Sequence, residues 1–144
     1  MVSMKQNIST LDELARLLDE YDSLRLECDG LTRILDYILR QNSVGHEVKG
    51  GRITHPATGK AFAPHLWIEV PIGGSVAIID YRARMWLGNG TDIPHGVFWQ
   101  EGCPVVYEGG PISGWQTINE TLYRALIATS KMDFAELLLK RSSA

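Results

Sequence analysis

Cysteine is scarce in this chain: Cys28 and Cys103 are its two thiols in 144 residues. A disulfide framework therefore has no part in holding it together, and each is expected as a free thiol. Long apolar runs are missing too, and none reaches the about 18 residues that a membrane-crossing helix needs. An excess of positive charge is also lacking. The 14 Lys and Arg are scattered against 17 Asp and Glu, for a net charge of -3, which excludes the basic footprint of a nucleic-acid-binding surface. Repeats, low-complexity tracts and long Pro/Gly/Ser linkers are absent, so residues 1–144 read as one domain. The opening Met1-Val2-Ser3-Met4-Lys5-Gln6-Asn7 has neither the apolar stretch nor the small-residue cleavage site of a secretory signal, which leads us to expect a cytoplasmic protein.

What is present is an ordinary globular balance, 44% hydrophobic and 22% charged, arranged as helices, then strands, then helices. Thr10 with Glu13 three residues on is a capping-box pattern, and Leu11, Leu14, Leu17 and Leu18 continue it at helical spacing to about Tyr21. Leu31, Ile34, Leu35, Ile38 and Leu39 make one apolar stripe over a second helix from Cys28 to Gln41. The period then falls toward two. Strands are expected around Val48 to Ile53, over His65 to Val70, over Ser75 to Tyr81 and over Cys103 to Tyr107. Gly109-Gly110-Pro111 reads as a strand breaker and residues 82 to 102 as a long loop. Closing helices are expected over about 117–129 and 132–141. The fold class is α+β, with N-terminal helices on a small antiparallel sheet.

Reading Pro71 to Gly74 as a four-residue hairpin loop sets Val70 across from Ser75 and His65 directly across from Asp80. Directly opposed side chains have Cβ atoms roughly 4.5–5.5 Å apart, so the carboxylate is in reach of the imidazole. A His oriented by an Asp is the base-and-orienter part of a catalytic triad. Cys28 stands at the expected start of the second helix, where backbone N–H groups stabilise a thiolate. Glu27 and Asp29 beside it act in the opposite direction.

Cys28 opening a helix, the helix Leu31 to Arg40, the strand entry Gly45-His46-Glu47-Val48, His65-Leu66-Trp67 and Ile78-Ile79-Asp80 together resemble the transglutaminase-like superfamily. There a helix-starting Cys, a His followed two residues later by Trp, and an Asp on the next strand occur in this order. The resemblance spans about residues 24 to 82. It implies a papain-like fold, with Cys28 as nucleophile, His65 as general base and Asp80 as orienter. It also implies acyl transfer: a thiol-dependent hydrolase or acyltransferase acting on a peptide or a small amide or ester through an acyl-enzyme. The alternative from another class is a binding or regulatory module that keeps the fold without the chemistry.

Trp67, on the face of His65, and Trp86 and Trp99, in the expected loop, are candidate substrate contacts, although the plainer reading of Trp67 is core. Glu69 reads as solvated near the turn, Arg82 and Arg84 as partners of surface carboxylates, and Cys103 as structural. His46, His55 and His95 with Cys103 match no zinc-ligand spacing, so no metal or other cofactor is expected.

Overall fold

Residues 8–131 are described by the computed structural model. Helix α1, Leu11–Leu18, starts where Thr10 accepts a hydrogen bond from the Glu13 N–H, and a 3₁₀ helix over Asp19–Ser23 continues it. Helix α2 spans Cys28–Gln41, as its apolar spacing predicts, and buries Leu31, Ile34, Leu35, Ile38 and Leu39 along one side. Ile34 and Leu39 are fully enclosed, and trimming either to Ala costs about 2–5 kcal/mol.

Five antiparallel strands follow: β1 Glu47–His55, β2 Lys60–Ile72, β3 Ser75–Asp80, β4 Gly96–Trp99 and β5 Val106–Pro111. Their order across the sheet is β4-β3-β2-β1-β5. A short helix α3, Ala83–Leu87, leads from β3 toward β4, and helix α4, Glu120–Ser130, follows β5. Strand alternation divides the side chains between two cores. Ile68, Val70, Ile72, Ala77 and Ile79 pack against α1 and α2, whereas Ile53, Trp67 and Ile78 pack with Ala83, Leu87, Ile93 and Val105 on the opposite face.

The sequence-based account needs four corrections. The β2–β3 connection is the two-residue turn Gly73-Gly74, since Ile72 pairs with Ser75, and Gly73 supplies its positive φ of 55°. The register therefore sits two residues from the expected one, and His65 is diagonal to Asp80 rather than directly opposite. Residues 82–102 are not one irregular loop, because α3 and β4 form within them and Val97 and Phe98 pair with Ile79 and Ile78.

Gly109-Gly110-Pro111 does not break the last strand, which runs over Val106–Pro111 rather than Cys103 to Tyr107. It pairs with Lys49 to Gly51. Its glycines serve close approach: a Cβ on Gly51 would sit 2.1 Å from the Glu108 carbonyl oxygen, and one on Gly109 would sit 2.1 Å from that of Gly50. Last, α4 begins at Glu120, with Asn119 as its cap, and ends at Ser130. The helix expected over 132–141 lies outside the described residues.

Candidate functional site

Strands β2 and β3 and the start of α2 bring Cys28, His65 and Asp80 together. A register slip of two leaves every side chain on its expected face, so His65 and Asp80 still meet, now as diagonal neighbours. The Nε2–H of His65 donates to Asp80 Oδ2 at 2.7 Å. Both side chains are buried. Asp80 Oδ2 also accepts from the Tyr107 hydroxyl at 2.8 Å, and Oδ1 accepts from the Arg82 backbone N–H at 2.9 Å. The carboxylate is thus fixed by three donors, which orients it toward the ring without help from solvent.

His65 Nδ1 is the one buried side-chain nitrogen or oxygen among the described residues with no hydrogen bond of ordinary geometry. With Nε2 taken by Asp80, Nδ1 is the nitrogen left to face the thiol of Cys28. Burial acts to lower the pKa of the ring. The hydrogen bond to Asp80, the interaction with the Cys28 side chain and the charges of both outweigh it, raising the pKa to about 9. The thiol is therefore close enough to act on the ring, though it is not seated on Nδ1 as a well-formed partner.

Cys28 is half-buried at the first position of α2. Its helix starts differently from α1 and α4, whose caps Thr10 and Asn119 bond first-turn N–H groups. Glu27, the cap of α2, makes no such side-chain bond. The first N–H groups of a helix have no intrahelical acceptor, so those around Cys28 are not taken by a capping side chain. A cavity of about 10 Å³ lies beside them, bordered by Cys28, Thr32, Leu66, Asp80 and Arg82. That is about the space of one water. A shallow groove of about 360 Å³, lined by Leu24, Arg25, Leu26, Glu27, Arg82 and Met85, runs along the approach to Cys28. A hollow of about 570 Å³ lies toward the β2–β3 turn, bordered by His46, Glu47, Glu69 and Val76, and contains neither cysteine.

The tryptophans separate. Trp67 is 1% exposed in the core, and its indole N–H donates to Glu69 at 3.0 Å. Trp86 is partly exposed and stacks on Phe62 with ring centroids 3.8 Å apart, while Trp99 lies on the edge strand β4. The structure does not gather them around Cys28. Glu69 is not the solvated residue expected, since it also pairs with Lys49 at 3.0 Å. Cys103 packs in the second core and its pKa is raised, chiefly by burial.

No group of three or more potential metal ligands occurs among the described residues. His46, His55 and His95 instead pair with Asp36, Asp92 and Asp22. No helix among the described residues is long and apolar enough to cross a membrane.

Sequence reasoning missed Tyr107 and expected Arg82 in too exposed a setting. Tyr107 reaches Asp80 only because β5 joins the sheet, a pairing hidden by the glycines read as breakers. Arg82 does pair with a carboxylate, Asp22 at 2.6 Å, but from a buried position rather than on the surface. The signal available for it was its place two residues after Asp80. Compared with models of protein families, with curated proteins and with solved structures, the chain has no match.

Proposed function

We propose that this protein is a thiol-dependent hydrolase or acyltransferase of the transglutaminase-like, papain-like type, working on a peptide or a small amide or ester. The observation that carries the reading is His65: buried, held through Nε2 by a thrice-bonded Asp80, with Nδ1 unclaimed beside Cys28. A ring that keeps its proton at neutral pH is suited to balance a thiolate next to it.

In the first step the Cys28 sulfur attacks the substrate carbonyl carbon as a thiolate, its proton already held on His65 Nδ1. The carbonyl oxygen takes up the electron pair. First-turn N–H groups of α2, left unbonded by Glu27, are suited to receive that oxyanion. Collapse breaks the bond to the amine or alcohol, which leaves with the proton from His65, and a thioester on Cys28 remains. Water or an acceptor amine then attacks the thioester, gives its proton to His65 and frees the sulfur. Asp80 keeps the ring in one orientation throughout.

Iodoacetamide labelling at pH 7, followed by intact mass, tests the reading. Cys28 is expected to react at least tenfold faster than free cysteine, and His65→Ala to remove that advantage. Labelling no faster than free cysteine, unchanged by His65→Ala, overturns it. The narrow cavity beside the thiol favours a second reading, a binding module without chemistry. For that module, a panel of activated thioesters and peptide amides would leave no acyl adduct on Cys28.

A further inference from the structure

All five N–H donors of the Arg82 guanidinium are engaged, the full number that the group possesses. Nε donates to the Leu26 carbonyl at 2.7 Å, and one terminal nitrogen to Asp22 Oδ1 at 2.6 Å and the Tyr81 carbonyl at 2.9 Å. The other donates to the carbonyls of Asp22 at 3.0 Å and Leu24 at 2.9 Å. The carbonyls of residues 22, 24 and 26 belong to the connection that delivers the chain to Cys28. Residues 24 to 27 of it lie in neither helix nor strand, and no side chain caps the helix it enters. The backbone N–H of the same arginine donates to Asp80 Oδ1.

We infer that Arg82 is a positioning residue for the nucleophile, a clamp that sets the Cys28 sulfur against His65 by fixing residues 22–26 to the strand end that carries Asp80. One residue thereby ties the acidic member of the site to the approach of the thiol, two parts separated by more than fifty positions in the chain. A planar fork with fixed donor directions can hold four carbonyls and a carboxylate at once. A lysine, with three donors on a single nitrogen, cannot reproduce that pattern even though it keeps the charge. The inference rests on the catalytic reading of Cys28 and His65, and concerns how their alignment is maintained.

The test compares wild type, Arg82→Lys and Arg82→Gln by the rate of Cys28 labelling with iodoacetamide between pH 6 and 10, with circular dichroism to check folding. Both variants are expected to label at least tenfold more slowly at pH 7. The step in the wild-type rate that follows His65, near pH 9, is expected to move downward as the ring loses its sulfur neighbour. Folded variants with the wild-type rate and profile overturn the clamp. Wild-type labelling no faster than free cysteine instead overturns the catalytic reading, which separates the two failures. Should neither arginine variant fold, Asp22→Ala decides: it removes the one carboxylate partner and leaves the four backbone carbonyls. At least threefold slower labelling supports the clamp, and an unchanged rate overturns it.

Discussion

His46 and His65 each hold an aspartate through Nε2, at 2.6 and 2.7 Å, and both pairs are shielded from solvent. They differ at the other nitrogen. His46 Nδ1 bonds the Val44 carbonyl at 2.7 Å, whereas His65 Nδ1 has no such partner. His46 is saturated, tying the middle of α2 to the segment that enters β1. Its aspartate is likewise committed, because Asp36 also accepts from Arg40 and Trp115; burial pushes its pKa up, but these donors and His46 prevail and hold it below the usual carboxylate range. The contrast teaches that a short His–Asp contact does not mark a reactive centre, since all four histidines of this chain make one. What sets His65 apart from His46 is the spare nitrogen, on which the proposed catalytic reading rests.

Stability against pH breaks or sharpens the contrast most strongly. Because the folded-state pKa of His65 is raised to about 9, from the ordinary value near 6.5, its contribution is fully present below about pH 6.5 and disappears as pH rises through 9. The loss is on the order of 3 kcal/mol. Urea unfolding from pH 6 to 10 is expected to show this fall in wild type and in His46→Ala, and to lose it in His65→Ala. An identical slope in all three proteins would put the shifted proton elsewhere.

A second prediction concerns which property each histidine supports. His46→Ala leaves a buried carboxylate oxygen and the Val44 carbonyl without their donor, so it is expected to cost about 2 kcal/mol while Cys28 labelling stays within twofold of wild type. A drop in labelling comparable to that of His65→Ala would erase the distinction between the pairs.

The smallest effect is expected from Tyr107→Phe, which removes one hydroxyl donor from Asp80 and costs about 1 kcal/mol. With one fewer neutral donor the carboxylate holds the imidazolium more tightly, so the His65 titration followed by NMR is expected to move upward. A downward move would contradict the assigned direction of that hydrogen bond.

How much of this was legible without coordinates follows from which signals are local. The start of α2 at Cys28 was readable because the apolar stripe from Leu31 fixes the helix and its phase. The shared face of His65 and Asp80 was readable because alternation along a strand has a period of two, and an error of two in register leaves faces untouched. The register itself was not, since Pro71 to Gly74 admits loops of two or four residues. The roles of Gly109 and Arg82 were hidden because each depends on a distant backbone: the Gly50 carbonyl for one, the segment from Asp22 to Leu26 for the other. A composition rule sees glycine as a breaker and arginine as surface, and both rules fail where the fold brings main chain close.

The position of Tyr107 has a further consequence. His65 and Asp80 belong to neighbouring inner strands, whereas Tyr107 sits on β5, which is bonded on one side only. An outermost strand detaches at lower free energy than those it covers. Transient peeling of β5 would therefore withdraw the phenol and admit solvent to Asp80 while the imidazole contact stayed closed. Amide exchange at Tyr107 should accordingly outpace that at Ile68 and Ile79, giving the acidic end of the site a rhythm of opening independent of the sulfur end.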